Sequence, residues 1–361
     1  GVRLEDANRD GLMDIAAGWE EGGVIRVYLQ PETAKVKQPW PAVTVGEVNS
    51  PEDAVFVDLD GDGAMDVVSC CEGTVKSVYI HWAPKNKQDY LNAAAWKTEA
   101  FPACQGAMQW MNGLPMQVDG QRGVDLVLGA KGSGARIGWL ESPPNPRELA
   151  AWAWRPIYDA GWIMSIESAD MDSDGDDDLL VTDRKGPSRG CLWLENPGPG
   201  PQLTAYWKQR RIGGEDKEVM FLDYADIGGD GRREVAAAVS GSELLVFQKP
   251  DSLLERWNKF SIPFPPNAGT GKGIRIADFD GDKRADIVFS CENAKGKIGV
   301  WLLSQRKGEM DWIAQDVSGL EGTKYDLVQA LDLDGDGDLD IVTCEERENL
   351  GVIWYENPAN P

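Results

Sequence analysis

Four segments of the chain place aspartate at the first, third, fifth and ninth positions of a nine-residue stretch. They are residues 58–66 (DLDGDGAMD), 170–178 (DMDSDGDDD), 278–286 (DFDGDKRAD) and 332–340 (DLDGDGDLD). Alternating acids on a tight turn bring their oxygens to one point. A Gly at the sixth position permits the turn, and a backbone carbonyl near the seventh can complete the shell. Hard oxygen donors without sulfur or imidazole select Ca²⁺ over zinc or copper. The expected metal ligands are therefore Asp58, Asp60, Asp62, Asp66, Asp170, Asp172, Asp174, Asp178, Asp278, Asp280, Asp282, Asp286, Asp332, Asp334, Asp336 and Asp340. Acidic β-turns held by their own Asx bonds would also be rich in aspartate. They would not repeat acids at those four positions.

Three weaker copies follow the same frame. Residues 6–14 offer Asp6, Asn8, Asp10 and Asp14 and are expected to bind. Residues 226–234 keep Asp226, Asp230 and Glu234 but have Gly228 at the third position, so weak binding or none is expected. Residues 117–125 carry Gln117 and Gln121 beside Arg122, and no metal is expected there. Five to six calcium ions should result, each fixing a turn and neutralising a self-repelling acid cluster.

Other chemistry is sparse. The single histidine, His81, sits at the end of an apolar strand and reads as structural. Six cysteines include no C-x-x-C pair; buried free thiols are expected, with a strained Cys70–Cys71 bridge as the alternative. No G-x-S-x-G elbow, phosphate loop or H-E-x-x-H occurs, and GSGARIG at 132–138 lies in a hairpin, not at a strand-to-helix turn.

Seven loop copies at a period of roughly 50 residues define a repeat. Each has an apolar strand before the loop and a second strand after it. A Gly/Glu/Lys-rich hairpin then leads to a third strand carrying an aromatic: Tyr28, Tyr79, Trp139, Trp193, Phe247, Trp301 or Trp354. A fourth strand opens with Trp40, Trp96, Trp154, Trp207, Trp257 or Trp312. Four short strands per repeat, seven times over, predict an all-β, seven-bladed β-propeller. The expected blades span about 2–45, 52–101, 107–156, 162–212, 218–262, 272–317 and 324–358, in a single domain over 1–361. The last blade lacks a Trp-led fourth strand before Pro361. That strand is expected upstream of Gly1, or the blade has three strands.

These loops and strands resemble the FG-GAP/VCBS repeats of integrin α-subunit propellers, a fungal lectin, some polysaccharide lyases and fungal aldos-2-ulose dehydratase. The resemblance covers nearly the whole chain. It implies the propeller fold and calcium at the loop acids named above. Its members include adhesion modules, lectins and enzymes, so it leaves function open.

Ligands are expected on the opposite face, where the second-to-third-strand hairpins lie. Six residues past each ninth position stand Glu20, Glu72, Glu292 and Glu346 in adjacent blades, with Lys131 and Arg184 across from them. Trp19, Trp110 and Trp162 map to the same face. Blade 4 is the richest, with Trp162, Asp183, Arg184 and Lys185, and Arg136 comes from its neighbour. Solvated hairpin tips would also favour Glu and Lys. An aromatic platform among charges would suit a sugar ring or an anion.

With 36 basic and 60 acidic residues the net charge is −24, and the loop positions alone hold 24 carboxylates. The acidity is thus mainly a ligand set, and it disfavours nucleic acid. No membrane span is expected. The expected function is a calcium-stabilised binding module for a glycan or protein, monomeric, and secreted, periplasmic or on the cell surface. The alternative is a lyase or dehydratase on the same face. No catalytic residue is assigned, and Tyr325 is the tyrosine nearest that face.

Overall fold

The computed structural model describes residues 1–252, 255–305 and 311–358. Its strands form seven antiparallel sheets, each built from consecutive strands in sequence order. Six sheets have four strands and the last has three, Tyr325–Leu331, Asp340–Glu345 and Gly351–Tyr355. The expected seven-bladed β-propeller is therefore the observed fold. Pro361, the reference point for a missing strand, lies outside the described residues.

The chain divides into two compact units, Gly1–Ser188 with Leu192–Arg210, and Arg189–Cys191 with Arg211–Pro361. Blades 1 to 4 make up almost all of the first, and blades 5 to 7 the second.

Burial falls from the inner strands to the outer ones. The second strand of blade 2, Asp66–Cys71, is buried at every residue, and so is Glu234–Val239 in blade 5. Such strands are covered on both faces by neighbouring sheets, so they read as apolar runs and not as alternation. Outer strands such as Lys97–Ala100 and Trp312–Asp316 are largely exposed. The core is a series of apolar layers between adjacent sheets. One joins Val55, Val68 and Ile80 of blade 2 to Leu126 and Leu128 of blade 3. Another joins Ile137 and Trp139 to Ile166 and Leu192. Each fully buried aliphatic side chain contributes about 1.5–3 kcal/mol.

Four of the third-strand aromatics, Trp139, Trp193, Phe247 and Trp301, are buried as expected. The tryptophan before the outer strand has a further role. Trp40 Nε1 donates to Val36 O, Trp96 to Tyr90 O and Trp207 to Leu203 O, closing the turn that precedes the strand. In blade 3 this part is played by Trp152, which bonds Pro146 O at 2.9 Å, and not by Trp154. Trp154 instead packs edge-on against Trp110 at 5.2 Å.

The inner strand carries a bulge near its hairpin end in several blades. Pairing skips Glu52 in blade 2, Lys272 and Gly273 in blade 6, and Asp326 and Leu327 in blade 7. A bulge re-aims the extra side chain, and these residues return at the rim below.

Candidate functional site

The nine-residue loops join the first and second strands at one end of each sheet. Their first carboxylate frames the turn from inside. Asp6 accepts the amides of Asp10 and Gly11, Asp170 those of Ser173, Asp174 and Gly175, and Asp332 those of Gly335, Asp336 and Gly337. The sixth residue takes the left-handed conformation, φ +90° at Gly63 and +99° at Gly337, which glycine adopts at low cost.

Carboxylate oxygens converge within 4.8 Å in four loops: Asp58, Asp60 and Asp62; Asp170, Asp172 and Asp178; Asp278, Asp280 and Asp282; Asp332, Asp334 and Asp336. These are the four loops with acids at all four positions. Several oxygens in them are buried without a hydrogen-bond donor, including Asp58 Oδ1, Asp172 Oδ1 and Asp334 Oδ1. A buried, unpaired carboxylate oxygen is costly, and a divalent cation in the loop would satisfy it. The residues therefore fit calcium. Position seven adds Asp176 and Asp338 in blades 4 and 7, whose side chains also have buried, unpartnered oxygens.

The ninth carboxylate has a second task beside any part in the converging group, which Asp178 joins in blade 4. In blade 2, Asp66 takes the amide of Leu59 on one oxygen and that of Ala83, past the third strand, on the other. The same two-sided clamp recurs at Asp14 (Ala7 and Gln30), Asp178 (Met171 and Asn196) and Asp340 (Leu333 and Asn357). Burial raises these carboxyls, Asp66 to about 8 and Asp178 to about 7. The clamp ties the loop to the end of the third strand whether or not the loop can hold a metal.

Blade 3 makes that separation visible. Gln117 Nε2 fills the centre of its loop and donates to the carbonyls of Gln121, Arg122 and Gly123. Its Oε1 accepts the amides of Asp119 and Gly120. An amide donor stands where a cation would, and the residues do not fit a metal. Blade 5 keeps the frame through Asp226 and Glu234 but gathers no three-acid group.

At the hairpin end, the first unit gathers charge around one indole. Trp162 follows the outer strand of blade 3, and its ring lies 4.7 Å from Lys131 Nζ, 4.8 Å from the Arg184 guanidinium and 4.8 Å from Lys185 Nζ. Glu20, Glu52 and Glu72 approach one another within 4.8 Å. Lys131 pairs with Glu72 and lies 3.5 Å from Glu52. Lys131 thus joins the glutamates instead of standing across from them.

The other hairpin residues are placed differently from one another. Asp183 is buried and accepts the amides of Gly161 (2.8 Å) and Trp162 (2.7 Å) and the Tyr158 hydroxyl. It holds the platform's backbone and does not face solvent. Arg136 pairs with Asp159 of the outer strand at 3.3 Å, away from the inner rim. Trp110 is core, fully buried, with its N–H on Cys104 O. Trp19 is half-buried and donates to the Tyr28 hydroxyl.

In the second unit, Glu346 pairs with Lys324, and Lys272 lies 3.5 Å from Asp326. Burial raises the Glu346 carboxyl. Glu292 ends the second strand of blade 6, where its backbone carbonyl accepts the Thr270 hydroxyl. Glu52, Lys272 and Asp326 were not legible by spacing, because each sits in an inner-strand bulge.

Neither His81 nor Tyr325 is open to a ligand. His81 is fully buried between Ser69 and Thr98 hydroxyls, and burial lowers it to about 3. Tyr325 is fully buried and donates to Glu321 O. All six cysteines are unbridged. Burial pushes the Cys71 and Cys291 thiols up to about 12, so they are inert. Among the described residues, no helix is long and apolar enough to cross a membrane.

The FG-GAP-like repeat model matches residues 6–69 and 226–289, so the chain carries FG-GAP-like repeats. The fold is similar to that of BBS1N in complex with ARL6DN, in one crystal soaked with mercury and another soaked with lead. Both align with a TM-score of 0.58 over 100% of this chain and 92% of that chain, at 10% and 11% sequence identity. At that identity the likeness is one of fold. No curated protein matches the sequence.

Proposed function

We propose that this protein is a calcium-stabilised binding module that recognises a glycan or protein ligand on its hairpin face, outside the cytoplasm. The observation that carries the reading is Trp162 with three cations around its ring, in a chain of net charge −24. An indole face stacks on a sugar ring or an apolar side chain, and flanking cations select a carboxylate on the same ligand. Lys131 pairs with Glu72 and lies near Glu52, and Arg184 and Lys185 bring further positive charge to the same ring. A uronate-bearing glycan has both features.

Calcium enters as a structural ion. It would be held by Asp58, Asp60 and Asp62, by Asp170, Asp172 and Asp178, by Asp278, Asp280 and Asp282, and by Asp332, Asp334 and Asp336, with the remaining acids at positions five and nine of each loop within the same frame. Asp6, Asn8 and Asp10 would hold a further ion, and the Asp226–Asp230 loop a weak one at most. Loops of this kind suit millimolar calcium, which supports a secreted, periplasmic or cell-surface location. The similar BBS1N structures contain a protein partner, ARL6DN, which keeps a protein ligand in the reading alongside a glycan.

A glycan array on the calcium-loaded protein tests the proposal. Binding of uronate-containing glycans that is lost in Arg184→Ala and Trp162→Ala supports it. Appearance of unsaturated-uronate absorbance on incubation would make the protein a lyase instead. Silence in both assays would leave a protein ligand.

A further inference from the structure

The blade 2 loop differs from those of blades 4 and 7 in what surrounds its acids. Arg147 Nε lies 2.5 Å from Asp60 Oδ2, and its Nη2 lies 3.5 Å from Asp62 Oδ2. Lys85 Nζ is 3.4 Å from the same Asp62 oxygen, and Arg9 Nη2 is 3.7 Å from Asp58 Oδ2. Each of the three converging carboxylates therefore has a cation of this chain beside it. Among the described residues, no lysine or arginine pairs with the loop acids of blades 4 and 7.

Arg147 is presented by a built arm. It leaves the blade 3 connection just after Pro146, and its own amide is held by the Asn145 side chain at 3.3 Å. Trp152 fixes the turn through Pro146 O. The guanidinium lies over the Trp82 ring at 4.3 Å, and Trp82 is itself buried, with its N–H on Glu99. The planar group is thus oriented by an aromatic face on one side and two carboxylates on the other.

We propose that Arg147 is the resident counter-cation of the blade 2 loop, and that calcium entering this loop displaces it. Asp62 already has Lys85 and Arg147 on one oxygen, and a dication added to Asp60 and Asp62 repels the guanidinium at these distances. Calcium uptake at blade 2 therefore releases the Asn145–Ala151 connection of blade 3, whereas uptake at blades 4 and 7 releases nothing. Blade 2 becomes the loop whose affinity is set by a neighbouring blade. This inference rests on the calcium reading above.

The test is calcium titration of the chelator-stripped full chain by calorimetry, with hydrogen exchange followed by mass spectrometry. The blade 2 site is the one lost in the double variant Asp58→Asn/Asp60→Asn. Arg147→Met keeps an apolar stem for Trp82 and removes the charge. It should tighten that site by roughly five-fold, the scale of one or two exposed ion pairs, and leave the other sites unchanged. In the unaltered protein, calcium should speed amide exchange over residues 145–151, and this second readout decides the matter if Arg147→Met does not fold. Unchanged or weaker affinity at the blade 2 site overturns the proposal. So does exchange at 145–151 that calcium leaves unchanged or slows. Absence of calcium uptake at every loop would overturn the calcium reading as well, whereas uptake indifferent to Arg147 overturns this proposal alone.

Discussion

Asp125 accepts the backbone amide of Ser142 at 2.8 Å, although the loop that Asp125 closes holds Gln117 where its relatives hold an acid. Its other oxygen takes the amide of Val118 at 2.9 Å. The ninth acid is thus kept in a loop whose other residues do not fit a metal. It fastens the turn between the inner strands to the end of the third strand, a task that needs no cation.

Separate variants should divide those roles. Asp125→Asn turns an amide N–H₂ toward a backbone donor and leaves one bond unmade, at a cost of about 1–3 kcal/mol. The same loss should appear in urea melts with calcium and with excess EDTA. Asp172→Asn should lower stability in calcium and change little in EDTA. A loss for Asp125→Asn that shrinks on chelation would mean that blade 3 holds an ion after all.

Much of this was legible in the sequence because it depends on spacing alone. The frame of Asp58, Asp60, Asp62 and Asp66 repeats in register, and three of its four acids converge in each of the four full copies. Gln117 could be read as a lost ligand, but not as a donor that replaces the ion, since that depends on where its amide points. The rim was less legible. Counting from the loop assumes that paired strands have equal lengths, and the bulges at Glu52, Lys272 and Asp326 break that assumption. Position six past the loop therefore found Glu72 and Arg184 but missed Glu52, which meets Glu72 from the neighbouring strand. Spacing maps Trp110 to the hairpin face, whereas it packs in the core against Trp154, because Trp152 and not Trp154 closes the turn before the outer strand of blade 3.

His81 occupies the space beside Gly46 of the neighbouring blade. A Cβ on Gly46 would lie 2.1 Å from the imidazole Nδ1 and 2.9 Å from Thr98 Oγ1. Gly46→Ala should therefore cost about 1–3 kcal/mol, because the ring has no second position in a packed layer. Thermal melts should show the loss, and the double variant Gly46→Ala/His81→Ala should recover part of it relative to the sum of the singles.

The same burial makes His81 an acid-sensitive point. Its folded-state value is lowered from 6.5 to about 3, so the neutral ring is the form that folds. The unfolded chain binds the proton first. Stability from this group is complete above pH 6.5 and falls by about 1.4 kcal/mol per unit as pH drops from 6.5 toward 3. His81→Gln removes the titration. Urea midpoints between pH 7 and pH 4 should fall less steeply for the variant than for the parent. Parallel lines would mean that the buried ring is not what makes the fold acid-sensitive.

Lys283 holds the sixth loop position of blade 6 at φ +68°, where Gly63, Gly175 and Gly337 hold it elsewhere. A non-glycine residue in the left-handed region is strained by about 1 kcal/mol. Lys283→Gly should therefore stabilise the protein by up to about that amount, less the extra freedom glycine has in the unfolded chain. Gly337→Ala is the reverse experiment. No atom lies within 4 Å of the added Cβ, so any loss there is conformational and not steric. Urea unfolding of the two variants should give shifts of opposite sign. Calcium should enlarge both, since an ordered loop is the state that needs the left-handed turn. A loss of stability in Lys283→Gly would show instead that the lysine side chain contributes more to this loop than its backbone costs.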